Sequence, residues 1–137
     1  MSTIFTKIIN REVPSKIIYE DDIVIAFLDI SQATPGHSLV VTKKEYRNIF
    51  ELPEEVASHI FKIVVRISKA INFSLKPKGI NILNNNEETA GQTVFHYHIH
   101  LIPRYDSGDV LFGMNNNFGK VSDEELEKRV NLIRSAL

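Results

Sequence analysis

Cysteine is absent from this chain of 137 residues, so no disulfide framework exists and that count leaves the compartment open. Charge of one sign is scarce in excess: the formal net charge is −1. That balance makes no electrostatic case for a nucleic-acid partner or an anionic membrane surface. Long apolar runs are missing too, none approaching the roughly 20 residues a membrane span needs. Met1 to Asn10 is amphipathic, yet lacks the basic region, apolar stretch and small-residue cleavage site of a signal peptide. A soluble cytoplasmic protein is therefore the expectation. No internal repeat, low-complexity tract or linker divides the chain, which predicts one domain over residues 1–137. What is present suits a folded domain with its own core: 43% hydrophobic and 24% charged residues.

The stretch that carries chemistry is Gly91-Gln92-Thr93-Val94-Phe95-His96-Tyr97-His98-Ile99-His100-Leu101-Ile102-Pro103-Arg104. Three of the five histidines stand here at alternate positions. On a β-strand alternate side chains share a face, so His96, His98 and His100 are predicted to point one way. Tyr97, Ile99 and Leu101 then point the other way, into a core. Imidazole ordinarily titrates near pH 6.5, so one ring can be a nucleophile while a neighbour donates to developing negative charge. A neutral imidazole attacking phosphorus gives a phosphoramidate that water then opens, dividing one difficult displacement into two. Clustered histidines also disfavour each other's protonation, which keeps the nucleophile neutral. His-x-His is equally a metal-ligand spacing, and the spacing alone does not separate the two readings. The lack of nearby carboxylate and cysteine ligands weighs against metal.

The remainder reads as an α+β domain. Residues 3–10 suit a short helix with Ile4, Phe5, Ile8 and Ile9 inward. Lys16 to Glu20 and Ile23 to Leu28 suit strands joined by a hairpin at Asp21-Asp22. Ala33-Thr34-Pro35-Gly36 is turn chemistry, and Ser38 to Thr42 is another strand. Pro53 at a first helical position, followed by Glu54 and Glu55, opens a helix whose positive end favours acids. Ile60, Ile63, Val64, Ile67 and Ile71 recur at helical spacing and predict a stripe facing a sheet. His59 on that helix reads as structural or exposed. Gly79 to Leu83, ended by three asparagines, predicts a strand antiparallel to the histidine strand. Residues 106–120, rich in Gly and Asn, read as loop. Ser122 to Glu125 is a capping box for a terminal helix with Leu126, Val130, Ile133 and Leu137 along one side. The expected architecture is a mainly antiparallel sheet with helices packed on it.

The run His96-Tyr97-His98-Ile99-His100-Leu101-Ile102 resembles the His-φ-His-φ-His-φ-φ signature of the histidine triad (HIT) family, φ being apolar. Gly91-Gln92-Thr93-Val94 is similar to that family's lead-in. The likeness extends through Lys16 to Asp22 and Ala26 to His37, and is strongest to the nucleoside phosphoramidase branch and its bacterial relatives. The resemblance implies a HIT-like fold and a homodimer whose two sheets join. It implies a nucleotide hydrolase or transferase cutting at the α-phosphate of a purine ribonucleotide, through a covalent nucleotidyl-histidine. The leaving group would be an amine, an aminoacyl group or a phosphate. A nucleotide-binding or signalling module with incidental turnover is the alternative.

By the same resemblance, His98 is the nucleophile, His100 bonds a phosphate oxygen and His96 supports the arrangement. Thr93 stands where a hydroxyl would help the leaving group. Asp29 matches a ribose-binding position, Asn85 a phosphate- or nucleotide-contacting one. Gly91 and Gln92 would let backbone approach phosphate. Ile8, Ile25 and Phe27 match the slot for the base, with core packing as their other reading. His37 matches a position near the site in relatives, its role undetermined, and Arg104 is left between a phosphate and a carboxylate across a dimer. Some branches hold a zinc ion with two N-terminal cysteines, a histidine after the third strand and the first triad histidine. The matching positions here are Thr3, Thr6, Glu45 and His96, so no structural zinc is expected, and magnesium enters only alongside polyphosphate substrates.

Overall fold

The strand-forming residues pair into one antiparallel sheet, in the order Ile17–Glu20, Val24–Leu28, Ser38–Thr42, His98–Arg104, Gly79–Leu83. The computed structural model describes residues 2–137. In chain order the elements are α1 (Ile4–Ile9), β1 (Ile17–Glu20), β2 (Val24–Leu28), β3 (Ser38–Thr42), α2 (Glu54–Leu75), β4 (Gly79–Leu83), a 3₁₀ turn (Glu88–Ala90), β5 (His98–Arg104) and α3 (Asp123–Ala136). This is the expected α+β class. No described helix is long and apolar enough to cross a membrane.

Both faces of the central strands are covered, which explains why β2 and β3 are buried almost throughout rather than alternating. Val24, Ala26, Val40, Tyr97, Ile99 and Leu101 pack with Ile60, Ile63, Val64, Ile67 and Ile71 of α2 in one cluster. Ile25, Phe27, Leu39 and Val41 make a second cluster with Phe5 and Ile8 of α1. Strand alternation separates the two. His98 and His100 pair with Val41 and Leu39, so they stand on the α1 face. The sheet therefore has a core face under α2 and a chemical face under α1.

The hairpin between β1 and β2 is closed by Asp21, which accepts from the Ile23 and Val24 amides at 2.8 and 2.9 Å. Tyr19 donates to the same carboxylate and His59 Nε2 lies 2.7 Å from it, tying the hairpin to α2. His59 is thus structural. Gly36, at φ +91°, closes the turn before β3 where a side chain would be strained.

Four expectations change. His96 lies ahead of β5 instead of on it, because the paired strand begins at His98. Pro53 is the N-cap of α2 and not its first helical residue. Ile4 is exposed and Ile9 only half-buried, so α1 is anchored by Phe5 and Ile8. The largest change is α3: Leu126, Val130, Ile133 and Leu137 are all exposed and the helix has no buried residue. Its cap holds, with Ser122 Oγ accepting from the Glu125 amide at 3.1 Å, but the stripe is left exposed.

Candidate active site

His98 is held by the segment that leads into its strand. Its Nδ1 lies 2.7 Å from the His96 carbonyl oxygen. A carbonyl can only accept, so Nδ1 carries the proton and Nε2 keeps its lone pair. Phe5 packs edge-on against the ring at 4.9 Å between centroids. Burial, with His96 nearby, lowers the His98 pKa below its ordinary value and keeps the ring neutral.

His96 lies deeper, fully buried beneath α1. Its Nε2–H donates to the Thr42 carbonyl at 2.6 Å, which leaves Nδ1 bare to accept from the Thr3 hydroxyl at 3.3 Å. Thr3 also caps α1: its Oγ1 accepts from the Thr6 amide, and the Thr3 amide donates to Thr6 Oγ1. His96 thus supports His98 from below through its carbonyl, and it fastens the first helix to the sheet.

His98 and His100 are 5.1 Å apart by ring centroid. Both line a cleft of about 670 Å³ together with Ile8, Phe27, Leu39, Asp29 and Thr93. His100 is flanked by His37, whose Nε2 lies 3.0 Å from His100 Nδ1. Burial, then His98 and His37, push the His100 pKa down to about 4. Asp29 follows β2, where its Oδ1 accepts from the Ser31 amide and hydroxyl at 2.8 and 2.6 Å. Its Oδ2 lies 3.7 Å from His37 Nε2. Burial works to raise the Asp29 pKa and the Ser31 bonds outweigh it, so the carboxylate stays ionised. Thr93 is exposed and borders both this cleft and a neighbouring one of about 680 Å³ that includes Glu45, Arg47 and Glu51. The arrangement offers one imidazole lone pair, a second imidazole, a hydroxyl and a carboxylate along one apolar-walled groove.

The HIT domain family model matches residues 10–107, which include Asp29, His37, Thr93, His96, His98 and His100. The chain belongs to the HIT domain family. The protein named "Protein hit" from Bacillus subtilis (strain 168) is 53% identical over 106 residues, covering 77% of this chain and 73% of the relative. Adenosine 5'-monophosphoramidase hnt1 of Schizosaccharomyces pombe is 38% identical over 104 residues, covering 76% and 75%. The crystal structure of a HIT family protein from Bacillus anthracis superposes with a TM-score of 0.94 at 44% identity, covering 98% of this chain and 96% of that one.

Within this HIT domain the lead-in to the triad is mostly scaffold. Gln92 is buried: its Oε1 accepts from the Glu87 amide, and its Nε2 donates to the Arg47 and Val94 carbonyls. Gly91 is at φ +92° and its carbonyl accepts from Asn85 at 3.4 Å. Gly91, Gln92 and Asn85 are not among the residues lining the main cleft, although Thr93, next along the chain, is. Ile25 belongs to the core cluster, while Ile8 and Phe27 serve both core and cleft wall. Arg104 turns away from the histidines: it bonds Asn81 at 2.7 Å, the Val110 and Ser107 carbonyls and Asp109, clamping the loop after β5.

The resemblance puts His37 near the site without a role. The signal was its place at the end of the turn that feeds β3, the strand lying against the histidine strand. Asp29, His37 and His100 offer ligand atoms within 4.8 Å of one another. They do not suit a cation, because the Ala33 amide donates to His37 Nδ1 at 3.2 Å. Neutral His37 must then carry its proton on Nε2, the atom a metal would need bare.

Proposed function

We propose that this chain is a nucleotidyl hydrolase of the phosphoramidase kind, acting on conjugates of purine ribonucleotides. The observation that carries the reading is His98 Nε2: a lone pair on a neutral ring, fixed by the His96 carbonyl, in an apolar-walled cleft beside His100, Asp29 and Thr93. The similarity to a relative named as an adenosine monophosphoramidase supports it.

In this mechanism His98 Nε2 attacks the α-phosphorus and forms a P–N bond to the enzyme. The bond to the leaving amine, aminoacyl group or phosphate breaks, and its electron pair stays with the departing atom. A departing amine takes up a proton with help from the Thr93 hydroxyl. Water then attacks phosphorus, the P–His98 bond breaks, and the nucleoside monophosphate leaves. His100 donates to a phosphate oxygen, where charge accumulates in both steps. The Asp29 carboxylate accepts from the ribose hydroxyls, favouring ribonucleotides, and the wall of Ile8, Phe27 and Leu39 takes the base. Asn85 and Gly91 would act through the loop that presents Thr93.

The protein acts as a homodimer and needs no metal at the phosphorus. A structural zinc does not fit, since three of the four matching donors are Thr3, Thr6 and Glu45, and hydroxyls are not usual zinc ligands. Magnesium would enter only bound to a polyphosphate substrate.

The test is turnover of an adenosine phosphoramidate. His98→Ala should lose at least roughly 10³-fold in kcat while nucleotide still binds, in line with removing a nucleophile. Quenching the wild-type reaction with denaturant at alkaline pH should trap an adenylyl group on His98 that acid then releases. Near-normal turnover by His98→Ala, or affinity for nucleotide without turnover by the wild type, would reject the hydrolase reading.

A further inference from the structure

Each nitrogen of His37 faces a different neighbour, and together the neighbours decide where protons sit. The Ala33 amide is a donor and lies 3.2 Å from His37 Nδ1, so Nδ1 must accept. The neutral ring then carries its proton on Nε2. Two acceptors are within view of that proton: His100 Nδ1 at 3.0 Å and Asp29 Oδ2 at 3.7 Å. Only the first is a hydrogen-bond distance, so the proton goes to His100. His100 Nδ1 is therefore an acceptor, and the single proton of neutral His100 is left on Nε2.

We infer that His37 is a positioning residue: it holds His100 as the Nε2–H tautomer, so that His100 presents a donor to the cleft. The chain runs from the Ala33 amide through His37 to His100, and each link is directional. Without it, His100 could place its proton on Nδ1 and turn a lone pair toward the phosphate oxygen, which would repel it. The His98 ring is set the opposite way, proton on Nδ1 and lone pair on Nε2. Two histidines side by side thus acquire opposite roles, one from a backbone carbonyl and one from His37. Gln32 secures the turn that supplies the first link: its Nε2 donates to the Asp29 and His37 carbonyls, and its Oε1 accepts from the Gly36 amide. His37 itself is 5% exposed, so solvent does not compete for either nitrogen.

This inference rests on the cleft being a phosphoryl-transfer site, and its test separates the two ideas. Nitrogen-15 NMR of the wild-type protein without substrate should show His100 protonated at Nε2, and a through-bond coupling between His37 Nε2 and His100 Nδ1. His37→Gln retains a donor and an acceptor in one side chain, whereas His37→Leu retains neither. His37→Leu should give mixed His100 tautomers and lower kcat roughly 10- to 100-fold with little change in KM, the usual effect of losing an orienting partner. His37→Gln should recover most of that loss. A wild-type His100 protonated at Nδ1 overturns the inference even if no variant folds, as does a His37→Leu protein with wild-type kcat. If the tautomers are as stated but the wild type cleaves no phosphoramidate, the hydrolase reading fails and the proton assignment stands.

Discussion

At the scale of the residue, four imidazoles share one small volume, and desolvation keeps them uncharged. The pKa values of His37, His96, His98 and His100 all lie below their ordinary value, burial being the first cause in each. The sign of the consequence follows from proton counting. Between the folded-state values and 6.5, the unfolded chain binds more protons than the native one, so stability rises with pH across that window. It is complete above pH 6.5 and is lost as pH falls toward about 4, the value for His100. Thermal unfolding followed at several pH values should give a Tm that is flat from pH 8 to about 7 and declines steadily below pH 6.5. Turnover should share that acid limb, since protonating His98 removes its lone pair. A Tm independent of pH down to 4.5 would show that these rings are charged or solvated in the native state.

At the scale of the element, α1 is only six residues long and cannot persist alone. Phe5 and Ile8 bury against β2 and β3, and the Thr3 hydroxyl reaches His96 while capping the helix. Packing and a hydrogen bond would therefore hold the segment that a zinc ion holds in other branches of the family. Protein prepared without a histidine tag should contain far less than one zinc per chain, and a chelator should leave its Tm unchanged. Stoichiometric zinc surviving dialysis would contradict this account of α1 and return metal to the histidine face. β5 shows the same economy of position: Ile99 and Leu101 face α2 while His98 and His100 face the cleft, so core and chemistry share one strand.

At the scale of the whole molecule, the chain exposes apolar surface that one copy does not use. β4 is an edge strand, with Ile82 exposed. On α2, Phe61, Val65 and Phe73 are exposed, and α3 shows its whole stripe to solvent. An edge strand that carries an exposed Ile82 suits strand-to-strand pairing between copies. Light scattering at micromolar concentration should give about twice the chain mass. A monomer with full turnover would remove the homodimer and leave the cleft chemistry untouched.

The elements whose partners are near in sequence, or whose pattern has one solution, were legible from residues alone. The stripe Ile60, Ile63, Val64, Ile67 and Ile71 is buried as its spacing predicts, because a helix this amphipathic has one face to hide. β3 and β4 run from Ser38 to Thr42 and from Gly79 to Leu83 as read. The histidine alternation predicts His96, His98 and His100 on one strand face; His98 and His100 take it with Ile99 and Leu101 opposite, while His96 lies ahead of the paired strand. What sequence could not decide is which distant groups meet. His37 reaches His100 across 63 positions and Thr3 reaches His96 across 93. Local pattern carries no information about such pairs, since only strand order and register bring them together. The same limit applies to Gln92, whose amide is committed to backbone around Arg47 and Glu87, and to α3, whose stripe is as regular as that of α2 yet lies open. Periodicity dictates that a helix has an apolar side; only tertiary structure supplies the surface that covers it.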